Sequence, residues 1–366
     1  MPQSSRREFL GLLAAGAVFP GAVRASASAA PAGARPPSAQ PFFLTRGVVL
    51  VPDDLTLADW PQRAHRAGLT TVALHHGASP QLVADFVRSA QGQRFLERCR
   101  QLSLQVEYEL HAMRELLPRS RFKDEPALFR MNDEGQRTAD ANLCVHSARA
   151  LDIAAENALA LAKILKPTTG RYFLWGDDGC PWCRCPDCRG LSDSDQALVL
   201  ANHLLRALRG TDPKAQLAHL AYANTLPPPK QTKPAPGIFL EYAPINRRYD
   251  VPYAAQRGQS EQDRLEMLDA NLAVFGAQNA QVLEYWLDVS RFSGWKKPAV
   301  KLPWNTDVFA ADLDTYGARG IRHVTSFAVF IDADYLARHG EPPLDEYGAK
   351  LAQWRPSRSG ETGKVL

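Results

Sequence analysis

The chain has 366 residues, 45% of them apolar, with 27 prolines, 24 glycines and a formal net charge of +4 from 43 basic and 39 acidic side chains. That apolar content excludes a disordered chain and supports one large core, and the near balance of charge gives no case for nucleic acid or an anionic membrane as partner. Beyond the N-terminal segment no apolar stretch approaches the roughly 20 residues of a bilayer-crossing helix, so no membrane span is expected in the mature protein.

The first element is an address. Ser5-Arg6-Arg7-Glu8-Phe9-Leu10 is followed by a short apolar run from Phe9 to about Ala22 and by small-residue sites at Ala25-Ser26-Ala27 and Ala27-Ser28-Ala29. This is the order of a twin-arginine signal peptide, which directs a folded protein to the twin-arginine export machinery and so to the periplasm or outside. We expect a leader over 1–29, a Pro/Ala/Ser linker over 30–41, a barrel domain over 42–355 and a flexible tail over 356–366. Removing Arg6, Arg7, Arg24 and Glu8 with the leader lowers the net charge from +4 to +2.

From Phe42 onward, runs rich in β-branched and aromatic residues alternate with amphipathic stretches, the pattern of a parallel α/β fold. Eight strand-like runs are expected: Phe43–Val51, Thr70–His76, Leu104–His111, Arg171–Gly176, Gln216–Tyr222, Gly237–Tyr242, Ala280–Asp288 and Ile321–Ile331. Helices are expected over Leu57–Ala67, Pro80–Arg100, Ala148–Leu165, Ser194–Arg209, Gln262–Phe275, Asp307–Ala318 and Leu344–Trp354. No Gly-rich dinucleotide turn follows the first strand, so the reading is a (β/α)8 TIM barrel rather than an open sheet. The prolines of Asn224–Pro236 forbid a regular helix after strand five. The segment Ala112–Ser147 after strand three is too long for a simple connection and is expected to fold over the barrel mouth.

A barrel of this kind places its site at the C-terminal ends of the strands. Those ends carry His75 and His76, Glu107, Glu109 and His111, then Trp175-Gly176-Asp177-Asp178-Gly179, Tyr222 and Asn224, Glu241 and Tyr242, and Glu284-Tyr285-Trp286-Leu287-Asp288. Strand periodicity puts Glu107 with Glu109, and Glu284 with Trp286, on shared faces. Carboxylates among Trp and Tyr rings suit a carbohydrate, since ring faces stack on sugars and paired carboxyls cleave glycosidic bonds.

Asp178 is the candidate general acid. Glu284 is its candidate partner: a separation of about 5 Å would make it a nucleophile and about 6.5–9.5 Å an inverting base. Alternatively, Asp177 would orient an attacking N-acetyl group of the substrate. Trp175, Tyr222, Tyr242, Tyr285 and Trp286 are candidate sugar-stacking residues, and His76, Glu109, His111, Asn224 and Glu241 candidate polar contacts. Taken singly each has a structural alternative: a turn for Asp177-Asp178-Gly179, a salt bridge for Glu241 or Glu284, and a supporting role for His75 and His76. No catalytic cofactor is expected.

Cys180-Pro-Trp-Cys183-Arg-Cys185-Pro-Asp-Cys188 concentrates four of the six cysteines directly after the aspartate pair. Two chemistries compete. One is a structural zinc held by these thiolates, with Cys144 or a nearby His as a further ligand; the other is a set of disulfides in an oxidising compartment. Either would pin the loop that carries Asp178.

These residues resemble the bacterial family called domain of unknown function 4838. The likeness runs over about Leu104–Asp250: the Asp178-Gly179 pair, the Trp182-Cys183-Arg-Cys185-Pro-Asp-Cys188 motif, Asn142-Leu143-Cys144, and Ala221-Tyr222-Ala223-Asn224. The resemblance implies a glycosidase-like TIM barrel. The sequence departs from the family in having Asp177 where Asn is usual, in the extra Cys180, and in lacking a match to the α-glucuronidase-like domain that often precedes the barrel. The leading expectation is an exported glycoside hydrolase-like protein. Two alternatives are a non-catalytic glycan-binding barrel and a metal-dependent sugar isomerase or epimerase using Glu107 or Glu109, His111, Asp178 and Glu241.

Overall fold

The computed structural model describes residues 40–77, 79–256 and 265–356. The expected leader, most of the linker, the start of the helix at Gln262 and all but the first residue of the tail lie outside the described residues. Eight strands, β1 Thr45–Leu50, β2 Thr71–Leu74, β3 Gln105–His111, β4 Arg171–Trp175, β5 Gln216–Ala221, β6 Ile238–Tyr242, β7 Gln281–Glu284 and β8 His323–Phe327, form a closed barrel in sequence order. Every neighbouring pair is parallel, and β8 closes on β1 with Gly47 opposite Thr325. Strands wrapped on both faces are buried along almost their whole length, which is why they read as apolar runs instead of strict alternation.

The expected helices form, with one division. Pro80–Arg100 is two helices, α2 Pro80–Arg88 and α3 Ala90–Gln101, after α1 Trp60–Arg66. Ser89 breaks the run by adopting an extended backbone, and its hydroxyl caps α3 by accepting from the Gly92 N–H at 3.0 Å. The bend folds α3 back so closely that a Cβ at residue 92 would lie 1.9 Å from the Phe86 carbonyl oxygen; only glycine fits.

After β5 there is only a 3-10 turn, Ala223–Thr225, before the proline-rich stretch, so the strand-five helix is missing as expected. The stretch is held from α6 (Asp193–Arg209): Asp195 Oδ1 accepts the N–H groups of Lys230, Gln231 and Thr232 at 3.0, 2.7 and 2.7 Å, and Asn202 bonds Lys233 and Ala235. The segment after β3 contains the short helix α4 Met113–Leu116 and two 3-10 turns before α5 Ala148–Ile164. It does not roof the mouth as expected. It packs sideways on the loop after β4, through Asn142 to Asp177 and Met131 to Cys183.

The remaining helices are α7 Leu265–Phe275, α8 Val289–Phe292, α9 Thr306–Ala318, α10 Ala333–His339 and α11 Leu344–Gln353. None among the described residues is long and apolar enough to cross a membrane.

His219 on β5 points outward and stacks on Phe275 of α7, ring centroids 5.0 Å apart. Burial pushes its pKa down to about 4. The unfolded chain takes up this proton near pH 6.5 and the folded chain only near 4, so stability falls as pH drops across that window. His219→Phe is therefore expected to lose less stability than the parent between pH 6.5 and 4, by up to roughly 3 kcal/mol at the acid end in urea unfolding. Parallel pH profiles for the two proteins would contradict this.

Candidate active site

Alternation along each strand decides what enters the barrel. Gln281 on β7 points inward, donating to Glu109 Oε1 and Glu241 Oε1, both at 3.2 Å, and accepting from Arg171 at 3.1 Å. Glu107 also faces inward, 3.8 Å from Arg171 and accepting from Thr169 at 2.7 Å. Three buried carboxyls thus share one guanidinium. Burial first holds Glu109 and Glu241 well above the ordinary carboxylate range, and neighbouring carboxyls reinforce it. Trp175 lies over this polar layer and its indole N–H donates to Glu241 Oε2 at 2.9 Å.

Above Trp175 the strand ends enclose a cavity of about 390 Å³. All eight strands or their C-terminal extensions contribute to its wall; His75, His111, Trp175, Tyr222, Tyr285 and Phe327 are its principal side chains. Trp295, 58% exposed, and Phe330 complete it from the loops after β7 and β8. Both hold a left-handed backbone, with φ of 62° and 68°, which costs a non-glycine residue about 1–2 kcal/mol. Such strain concentrates at functional sites.

Two residues of the cavity wall carry carboxylates. Asp178 is the open one, its side chain 57% exposed, with Oδ1 3.7 Å from Nε2 of His111. His111 Nδ1 donates to the Gly176 carbonyl at 2.7 Å, and since a carbonyl only accepts, the neutral ring presents a bare Nε2 to Asp178. Burial holds His111 below the usual histidine range, against the pull of Asp178. His75 repeats the arrangement, donating from Nδ1 to the Glu109 carbonyl at 2.7 Å; burial and then His111 push it down to about 4. Asp288, the second carboxylate, is buried and pushed up to about 6 by that burial, although it accepts from Ser290 Oγ at 2.6 Å and caps α8.

Of the expected site residues, the structure brings Asp178, His111, Trp175, Tyr222 and Tyr285 together in this cavity. The others are placed elsewhere. Glu284 is fully buried behind the wall: β7 ends at it, and counting from inward Gln281 turns Glu284 outward. There Arg247 meets it at 3.1 Å, Tyr249 donates to it at 3.1 Å, Tyr316 donates to its other oxygen, and burial outweighs Arg247 in raising its pKa. Trp286 is buried on the same outer side, donating to Asp312 at 2.9 Å, and Tyr242 bonds the Tyr253 hydroxyl at 2.8 Å.

Asp177, its side chain 10% exposed, accepts from Arg119 and from the Asn142 N–H at 2.6 Å through one oxygen, Oδ2, and does not line the cavity. His76 turns away to pair with Asp53 at 3.5 Å. Asn224 donates to the Cys180 carbonyl at 2.8 Å and to Asp193 at 2.9 Å, bracing the cysteine loop. Glu109 and Glu241 lie beneath Trp175 and do not line the cavity. This separates Glu107, Glu109 and Glu241 from Asp178, so the ligand set of a sugar isomerase does not assemble.

Among the described residues, the one gathering of three or more His, Cys, Asp or Glu ligand atoms is Cys144, Cys183, Cys185 and Cys188, which could hold a metal. Cys180, expected in that set, stands outside it, half-buried, and Cys144 takes its place.

Trp295, Phe327 and Phe330 were not among the expected site residues, and His75 and Asp288 were read as strand-end residues without a catalytic or binding role. The signal for His75 was present in strand parity, since inward Thr71 and Ala73 lead to His75 and not to His76. The loop aromatics carry no comparable periodic signal.

The barrel is similar in fold to the β-galactosidase from Rahnella sp. R3 (TM-score 0.55, 12% identity, 86% of this chain and 56% of that one). It is similar also to the β-galactosidase from the psychrophilic Marinomonas ef1 (0.52, 10%, 85% and 59%) and to a tri-modular endo-β-1,4-glucanase from Bacillus licheniformis (0.51, 10%, 86% and 60%). The chain spans less than two thirds of each, and at such identities the likeness is one of fold. No curated protein matches it. Residues 48–326, from the first barrel strand to the eighth, match the family described as Domain of unknown function (DUF4838), and the chain belongs to that family.

Proposed function

We propose that the protein is an exported glycoside hydrolase-like enzyme that binds a sugar of a cell-wall or environmental glycan in the mouth cavity and uses Asp178 as its acid/base. The carrying observation is the single open carboxylate, Asp178, projecting into an aromatic-walled cavity next to the bare Nε2 of His111. A cavity of this volume falls within the range of small-molecule sites. Trp175, Tyr222, Tyr285 and Trp295 offer ring faces for stacking.

In this reading Asp178 gives its proton to the glycosidic oxygen as the bond to the anomeric carbon breaks, and His111 Nε2 receives and returns protons at Asp178. The anomeric carbon gains the oxygen of a water molecule in place of the leaving group, and the water's proton passes to Asp288, the second carboxylate of the wall, in the role that Glu284 cannot fill. Export by the twin-arginine route, with 1–29 removed, brings the enzyme to its substrate.

A second reading, a glycan-binding barrel without turnover, draws support from the commitment of Asp177 and Glu284 to ion pairs. A panel of aryl glycosides and polysaccharides, followed by product release and by calorimetric binding, separates the two. The enzyme reading expects hydrolysis of at least one glycan that also binds. Binding throughout with no product would favour the second reading, and no binding at all would defeat both.

A further inference from the structure

Four sulfurs from two separate segments meet where the segment after β3 packs on the loop after β4. Cys144 comes from the end of the long segment after β3, and Cys183, Cys185 and Cys188 come from the loop after β4; all four are buried and their sulfur atoms lie within 4.8 Å of one another. Cys144 Sγ is 3.7 Å from both Cys185 Sγ and Cys188 Sγ. A disulfide would set two sulfurs about 2 Å apart and leave the others unconstrained. Four bonds of about 2.3 Å from one zinc ion to the corners of a tetrahedron set the sulfurs about 3.8 Å apart. The observed spacing matches the second arrangement.

We propose that Cys144, Cys183, Cys185 and Cys188 hold a structural zinc ion, and that Cys180 is not a ligand. The surroundings suit the net charge of −2 that four thiolates and one zinc carry. Cys183 Sγ accepts from the Met131 and Cys185 N–H groups at 3.3 and 3.5 Å and from Arg137 at 3.6 Å, and His146 Nδ1 lies 3.2 Å from Cys188 Sγ. With all four positions taken by sulfur no water or substrate can reach the ion, so its work is mechanical.

That work bears on the cavity. Asn142, two residues before Cys144, donates its N–H to Asp177 and its side-chain amide to the carbonyls of Cys180 and Pro181 at 3.2 and 3.0 Å. Trp182, next to Cys183, packs so tightly on Gly176 that a Cβ there would lie 2.8 Å from its ring. The zinc would therefore rivet the β3 segment to the loop that carries Asp178. The site stands on its own geometry, whatever the cavity binds.

Metal analysis of protein purified from zinc-containing medium without chelator tests this. About one zinc per chain is expected, and cobalt substitution should give a thiolate-to-metal charge-transfer band. Cys180→Ser should keep both, whereas Cys144→Ser should lose at least tenfold in zinc affinity. If Cys144→Ser does not fold, the metal content of the wild type and of Cys180→Ser, with mass mapping of any disulfides, still decides. Iron in place of zinc, no stoichiometric metal, a disulfide within the set, or zinc lost in Cys180→Ser would each overturn the assignment.

Discussion

Asp178→Asn is expected to lower kcat/KM on a responsive glycan by roughly 10²–10⁴-fold, the span that a positioned acid/base supplies, while leaving the unfolding midpoint unchanged. Stability is spared because the side chain is 57% exposed and its one ion-pair contact among the described residues is His111 at 3.7 Å. Binding should survive, since Asn keeps the shape and removes only the transferable proton. Asp177→Asn should behave in the opposite way. Its carboxylate neutralises Arg119 and accepts the Asn142 N–H, so its loss should appear in thermal unfolding before it appears in chemistry. Steady-state kinetics and melting curves on the two variants check both halves, and undiminished hydrolysis by Asp178→Asn would remove the residue from the mechanism.

Arg247→Met should cost about 3–5 kcal/mol of stability, the penalty for removing one partner of a buried ion pair. Arg247 is fully buried, with Nε 3.1 Å from Glu284 and Nη2 2.5 Å from Asp312. Deleting it strands two carboxylates in a pocket walled by Tyr249, Tyr253 and Trp286. Glu284→Gln should cost less, because the Arg247–Asp312 pair survives, the amide oxygen can still accept from Tyr316, and Tyr249, which also donates to the Pro244 carbonyl at 3.2 Å, can accept from the amide N–H. The folded Glu284→Gln protein should retain glycan turnover. Loss of turnover without loss of stability would return Glu284 to the nucleophile role that the sequence suggested. Urea unfolding and a single-substrate assay on the two variants give the answer.

The barrel was legible because parallel strands buried on both faces leave apolar runs at regular spacing, and because prolines after Tyr222 rule out a helix wherever the chain folds. The site was legible in part. Asp178, His111 and Trp175 sit where a strand end predicts, but the ends of β7 and β8 were misplaced: the strands stop at Glu284 and Phe327, before the expected Asp288 and Ile331. Tyr285-Trp286-Leu287 continues the apolar run of β7 past Glu284, and a buried turn and a strand look alike in such a run. The misplacement hid that Gln281 sets the inward parity, which sends Glu284 and Trp286 outward to Arg247 and Asp312.

Cys144 and Cys180 show a different limit. Local spacing favours Cys180 with Cys183, whereas Cys144, named in the sequence only as a further ligand, arrives from some 40 positions upstream through the packing of the β3 segment, and no local pattern says that it displaces Cys180. Trp295 and Phe330 reach the cavity through left-handed backbones, which their residue types argue against.

A crystal structure of the Asp178→Asn protein with its responsive glycan tests the central claim most directly. The account predicts a sugar ring stacked in the cavity among Trp175, Tyr222 and Tyr285, with its glycosidic oxygen within hydrogen-bond reach, about 3 Å, of the residue-178 side chain. A glycan bound elsewhere on the protein, or one in the cavity with its scissile oxygen turned away from residue 178, would contradict it.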